Sequence, residues 1–153
     1  MSPGLTVLLV SMSPIMELRG AIPLALKVYN LPLWEAYLLS VGGNLIPLLG
    51  IVILGKPIAE FLSKNCSCFK AFFDWLFLKI GKKANLLLGS FGRDLTILIL
   101  TTLPIPFIGG WTGAIAAFLL EAPVKKSLLL VTTGAVISGI IVSLLTLGII
   151  KIS

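Results

Sequence analysis

Three stretches of this chain run for 20 residues or more without a charge: residues 36–55, 95–120 and 127–150. A helix needs about 20 consecutive apolar residues to cross the roughly 30 Å hydrocarbon core of a bilayer. A transmembrane β-barrel would instead show short segments of alternating polarity, and the sequence has none. Only 12% of the residues are charged and 58% are hydrophobic, against about 25% charged in a soluble domain. Mean hydropathy is +1.11. The expectation is an all-α integral membrane protein. No basic residue precedes Glu17, so the start does not read as a signal peptide, which opens with a basic region.

The placement of charge matters more than its net value of +6. Lys56, Lys64, Lys70, Lys79, Lys82, Lys83, Arg93, Lys125 and Lys126 lie in or beside the middle of the chain; apart from Arg19, set within the first apolar block, only Lys27 and Lys151 lie near its ends. Cytoplasmic loops collect lysine and arginine, so the 56–94 linker is expected inside and both termini outside. Because the basic residues flank apolar segments, they point to membrane lipids as partners and not to nucleic acid. The chain has no histidine, and its two cysteines, Cys66 and Cys68 in "NCSC", lack the further ligands a structural zinc needs. They read as loop thiols in a reducing cytoplasm. No metal, cofactor or nucleophile–base pair is legible, so enzyme chemistry is not expected.

The first apolar block carries "SPIMELRGAIPLAL", residues 13–26, with Glu17 and Arg19 two positions apart and Pro14, Gly20 and Pro23 around them. Proline removes a helical donor and clashes with the preceding turn. Ionisable side chains are costly against lipid. One kinked helix would leave both problems in place. A re-entrant hairpin solves them: residues 5–13 dip in, 14–20 turn, and 21–28 return, with the irregular tip enclosed by protein or a water-filled cavity.

A spanning segment follows at residues 31–57, with Trp34 and Tyr37 as interface anchors. Gly42, Gly43, Asn44 and Pro47 weaken its middle, and Asn44 needs a partner within the bundle. In residues 69–80, Phe69, Phe72, Phe73, Leu76, Phe77 and Ile80 follow helical spacing away from Lys70, Asp74 and Lys79. That pattern suits a helix lying in the membrane interface or one packed on the bundle. Lys82 and Lys83, with Arg93, are candidates for head-group contact.

The second half repeats the order. Residues 94–123 are apolar and broken by Pro104, Pro106, Gly109, Gly110 and Gly113. Residues 127–150 then span, with Gly134, Ala135, Ser138 and Gly139 forming a small-residue face. Such paired interrupted segments point to a transport site in an inverted repeat. The chain therefore divides into a first repeat (1–62), a linker with an amphipathic helix (63–93) and a second repeat (94–153), all in one membrane domain. The small-residue faces at 42–50 and 134–143 suggest a homodimer.

At "PIMELRGAIPLAL" and "PIPFIGGWTGAIAAF" the sequence resembles the small multidrug export family of bacterial and archaeal membrane proteins. The "ELRGAIP" segment runs from Glu17 to Pro23 without a gap, and the "WTG" segment is Trp111, Thr112 and Gly113. The resemblance covers nearly the whole chain and implies a multi-pass transporter of the cell membrane. The pattern is more distantly similar to the DedA superfamily, which implies re-entrant hairpins and movement of lipids. DedA members carry an arginine inside the second hairpin; here that segment is uncharged and Arg93 lies just before it.

The expected site is therefore Glu17, Arg19, Asn44, Trp111 and Thr112 at mid-membrane between two hairpin tips. Intramembrane ionisable groups default to function; the structural alternative is that Glu17 and Arg19 pair, or pair with Asn44 or Thr112, to hold the tip. Arginine beside the acid disfavours a cationic drug and suits a phosphate, which its planar fork contacts in pairs. The favoured cargo is an anionic lipid or phosphate-bearing molecule, with Glu17 taking a proton. The alternatives are multidrug export and a non-transport scaffold or insertion factor.

Overall fold

The structure, a computed structural model, describes the backbone of every residue except Phe107. It describes the side chains of all but Phe69, Phe73, Leu76, Lys83, Ala84, Leu87, Ser90 and Phe107. The described residues form an all-helical bundle whose only bridge is an isolated pairing of Ile105 with Ile108. Helix α1 (Pro3–Met12) starts with the Leu5 N–H donating to the Ser2 hydroxyl at 3.3 Å, and Pro3 occupies the first turn, where a missing N–H costs nothing. After a break at residues 13–16, α2 (Glu17–Pro23) runs into a π-helical turn, Leu24–Val28. The wider turn follows directly on Pro23, which has no N–H for the α-helical ladder.

Helix α3 (Leu33–Asn65) is continuous through Pro47 and Pro57. Gly42, Gly43 and Pro47 therefore do not interrupt it, as prolines in membrane-type helices are carried by neighbouring elements. Helix α4 (Ser67–Phe91) is twice the length suggested by the 69–80 pattern. Gly92 separates it from α5 (Arg93–Thr102) with φ of +78°, a left-handed conformation natural only to glycine. After a break at 103–109 come α6 (Gly110–Leu119) and α7 (Val124–Ile152). At 1.5 Å per residue α3 and α7 measure about 50 and 43 Å, whereas α1, α5 and α6 measure about 15 Å.

The two halves share a connector that the residue identities hide. Asn30 and Glu121 both take left-handed backbone angles, with φ of 50° and 52°. Each stands two residues before a proline, Pro32 or Pro123, which caps the following long helix in an extended conformation. The intervening residue closes the preceding helix each time: the Leu31 N–H donates to the Ala25 carbonyl at 3.0 Å, and the Ala122 N–H to the Ala117 carbonyl at 3.1 Å.

Packing is also duplicated. α1 lies on α3 as α5 lies on α7; α2 crosses to α7 as α6 crosses to α3; and the long helices pack on each other. The largest core joins Leu48 and Val52 of α3 to Ile97, Ala114, Ala117, Val131 and Ala135 of α5, α6 and α7. Leu18 and Ile22 of α2 meet Val41 and Val142. The outer faces of the long helices are apolar and uncovered, with Leu38 60% and Leu144 65% exposed. Apolar surface on this scale marks a surface made for lipid or a partner.

The small residues of α7 are used inside the chain. A Cβ on Gly134 would lie 2.6 Å from Cβ of Thr101, and one on Gly139 would lie 2.7 Å from a Val41 methyl. Gly43 packs against α1, where a Cβ would overlap the Ser11 hydroxyl and stand 2.6 Å from the Leu8 carbonyl oxygen. Gly42 next to it has open space. Gly43→Ala should therefore destabilise the fold by about 1–3 kcal/mol through overpacking. Gly42→Ala should be neutral or stabilising by up to about 1 kcal/mol. Thermal unfolding of the two variants in the same detergent checks the contrast.

Candidate functional site

The two broken segments meet at one joint. The Trp111 N–H, in the first turn of α6, donates to Glu17 Oε1 at 3.2 Å, and the Gly110 N–H is a second donor toward the same carboxyl group. The first N–H groups of a helix have no partner within it; here the acid of one half supplies an acceptor to the helix start of the other. Glu17 reaches this position from a strained backbone, with φ of 45°. A left-handed conformation costs an L-residue about 1–2 kcal/mol.

Glycines make the approach possible. A Cβ on Gly109 would stand 2.5 Å from Glu17 Oε2, and one on Gly110 would stand 2.6 Å from a Leu48 methyl and 3.4 Å from Asn44 Nδ2. Gly113 gives the same access to Thr101. Of the residues read as hairpin tips, Pro14, Pro104, Pro106 and Gly109 lie in the breaks, while Gly20 and Pro23 lie within α2 and Gly110 and Gly113 within α6. The α6 glycines are contact points, not breakers: each stands where a neighbouring side chain presses on the helix.

Asn44 comes to the joint from α3, is 1% exposed, and its Oδ1 has no partner among the described residues. Trp111 Nε1 is likewise buried without one. Arg19 lies near enough for its charge to act on Glu17. Its Nη2 donates to the Ile15 carbonyl at 2.5 Å, and the ion pairs among the described residues are Lys56–Glu121, Arg93–Asp94 and Lys126–Asp94. Arg19 therefore secures its own turn, and Glu17 is held by α6. Of the five expected site residues, the structure gathers Glu17, Asn44 and Trp111, with Thr112 next along α6.

Beside the joint lies a cavity of about 800 Å³. Its walls are α3 (Pro47, Gly50, Ile51, Leu54, Gly55, Ile58), α6 (Trp111, Thr112, Ile115, Phe118) and α4 (Phe72, Trp75, Lys79, Ile80), and Pro14 of the first break also lines it. The α4 residues were missed as site residues. Phe72, Trp75 and Lys79 follow i, i+3, i+7 spacing, the signal that could have found them. Two residues tie this helix to the bundle: Phe77 meets Phe118 edge-on at 5.9 Å, and Ile80, which also lines the cavity, packs with Leu100 and Ala116. The Lys79 ammonium sits 4.9 Å from the Trp75 ring centroid. Lys82 is exposed on the same helix, Arg93 begins α5, and the Lys83 side chain, like those of Phe69, Phe73 and Leu76, lies outside the described residues. No group of three or more potential metal ligands occurs among the described residues.

The helices α3 and α7 are long and apolar enough to cross a membrane, and with the uncovered apolar belt they define a helical membrane protein. The chain belongs to the family described as "Putative small multi-drug export protein", whose model matches residues 17–141. The match begins at Glu17, just after the first break, takes in the whole of the second broken segment and ends within α7. No curated protein and no solved structure matches the chain, so the more distant DedA likeness gains no support.

Glu17→Ala should leave the α6 donors unpaired and cost about 1–2 kcal/mol, the usual loss when a helix-capping side chain is removed. Glu17→Gln keeps one acceptor oxygen and should cost less. Gly109→Ala should mimic Glu17→Ala by displacing the carboxyl group. Thermal unfolding ranks the three, and equal stability of all with wild type would dismiss the joint as a structural element.

Proposed function

We propose that this protein is a membrane transporter that exports amphiphilic small molecules by way of the cavity between α3, α4 and α6. The cavity itself carries the reading. At about 800 Å³ it falls in the range of small-molecule sites, roughly 300–1,000 Å³, and like them it is mostly apolar with a few polar groups. The family description, which names multi-drug export, supports the same class of activity, a transporter and not an enzyme.

In this reading α3 and α7 span the membrane and α1–α2 and α5–α6 are re-entrant hairpins. Helices of about 15 Å suit half of a roughly 30 Å core. The duplicated connector and the exchanged packing support an inverted repeat, with Glu17 and the α6 start near the midplane. The lysine bias supports a cytoplasmic 56–94 linker, extracytoplasmic termini and a multi-pass place in a bacterial or archaeal cell membrane. Gly42 and Gly50, which have open space beside them, are what remains to support a homodimer.

A second reading, proton-coupled movement of an anionic lipid or phosphate-bearing molecule, is favoured by Lys79 in the cavity wall and by an Arg19 that pairs with no acid among the described residues. A scaffold or insertion factor is the outcome if no flux is found.

Gly50 lines the cavity and has no neighbour within 4 Å of a Cβ position. Gly50→Phe should fill the cavity and cut efflux of a fluorescent amphiphilic dye from proteoliposomes about tenfold, with stability within about 1 kcal/mol of wild type. Efflux equal to wild type would reject the cavity as the route. Glu17→Gln should flatten any dependence of flux on pH between 6 and 8 if the acid carries the coupled proton; an unaltered profile rejects that role. For topology, Cys66 should be labelled only from the cytoplasmic side of intact cells, and cysteines placed at Ser2 and Ser153 only from outside.

A further inference from the structure

We infer that the cavity opens sideways to the bilayer and is loaded with one acyl chain of a phospholipid whose anionic head group rests on Lys79. The inference rests on the reading of this cavity as the substrate compartment and names how, and with what chemistry, it is filled. Three observations carry it.

The first is the character of the mouth. Four of the lining residues are large, apolar and about half exposed, and so mark where the cavity meets the outside: Leu54 and Ile58 on α3 are 52% and 49% exposed, and Phe72 and Trp75 on α4 are 53% and 54% exposed. Such a rim repels a water-borne ligand and admits one already dissolved in hydrocarbon, because burial of apolar area rewards only solutes that present it.

The second is length. The α3 wall runs from Pro47 to Ile58, about 16 Å at 1.5 Å per residue. One leaflet of hydrocarbon is about 15 Å deep, half of the roughly 30 Å core. The lining also takes in Pro14 and Thr112, beside the joint between the broken segments, and the amphipathic helix α4. A cleft of one leaflet's depth, apolar but for Thr112 and Lys79, matches a single acyl chain.

The third is the position of charge. Among the described residues lining the cavity, Lys79 is the only charged one, and it belongs to α4. Phe72, Trp75, Lys79, Lys82 and Leu86 fall on one stripe of α4, and Trp75, Lys82 and Leu86 stay exposed. Aromatic and aliphatic groups alternating with lysine are the surface that seats a helix among anionic head groups. Head-group charge and chain length then set the arrangement, with the phosphate at Lys79 and the acyl chain along the α3 wall.

The test reads occupancy, not flux, so it can fail or succeed independently of transport. Trp34→Phe and Trp111→Phe leave Trp75 as the lone indole reporter at the mouth. The protein is reconstituted in vesicles holding a fixed fraction of lipid with brominated acyl chains, either phosphatidylglycerol or phosphatidylcholine. Trp75 emission should be quenched at least about twofold more by the brominated phosphatidylglycerol. Lys79→Gln should abolish that preference, and Gly50→Phe should reduce quenching by both lipids. Aqueous iodide should quench weakly. Strong iodide quenching with little from either brominated lipid, or equal quenching by the two lipids in the Lys79 protein, overturns the inference. Should the double tryptophan variant not fold, native mass spectrometry of the intact protein serves instead. Retained phosphatidylglycerol should fall severalfold in Lys79→Gln, and unchanged retention overturns the proposal. Occupancy without dye efflux would leave the lipid site standing and remove the transporter reading; efflux without occupancy would do the reverse.

Discussion

The fold turns on one carboxyl group. Glu17 stands in the first broken segment and accepts from the opening N–H groups of α6 in the second. A helix start buried in a bundle must find acceptors or lose the desolvation energy of its amides, about 1–3 kcal/mol for each. A local serine or aspartate would be the ordinary solution. Residues 103–109 offer none: the stretch is Leu103, Pro104, Ile105, Pro106, Phe107, Ile108 and Gly109. The acceptor is therefore imported from 94 residues away in sequence, and the strained φ of Glu17 is the conformational cost of delivering it.

That joint explains the composition of both segments around it. Gly109 exists as glycine because the carboxyl group occupies the space of its side chain, and Gly110 because Leu48 does. Arg19 closes the turn before Glu17 through the Ile15 carbonyl, so that the acid's own loop is fixed. The charges that looked anomalous in an apolar block thus have distinct partners, one across the bundle and one in its own turn.

Much of this was legible in the sequence, and the misses have physical causes. Uncharged length announced α3 and α7, and prolines located both breaks. The extents of the breaks were misjudged because glycine has two meanings. Gly20, Gly110 and Gly113 signal helix disruption by propensity, yet they sit in helices and serve contact; a lone sequence does not say which neighbour will press on them. The hydropathy order of the two halves was visible, while a connector they share, a left-handed residue two places before a capping proline, was written with different letters as "NLP" and "EAP". The backbone partners of Glu17 were not foreseen. Backbone donors carry no sequence signature, so a carboxyl group that caps a distant helix cannot be told from one that pairs with the nearby arginine. The small face of α7 suggested a homodimer; Gly134 and Gly139 pack within this chain, and tight packing looks the same in sequence whether the second helix belongs to this chain or to another.

The same geometry ties the joint to the cavity. α6 has one end under Glu17 and presents its next turns, through Thr112, Ile115 and Phe118, to the cavity wall. Its opposite side is locked by Gly113 against Thr101 and by Ala114 and Ala117 in the main core. A close-packed core leaves little room for gradual adjustment, because interiors are packed at crystal-like density. α6 can therefore move only as a unit, and such a movement must alter both the hydrogen bonds to Glu17 and the shape of the cavity. α4 is built differently. It meets the bundle through Phe77 and Ile80, while Gly92 at one end and Cys66 at the other mark where it joins α5 and α3. Among the described side chains of α4, Ile80 is buried and Phe77 partly so. The cavity thus has one wall, α6, fixed by the joint between the two broken segments, and another, α4, whose described contacts with the bundle run through these two side chains.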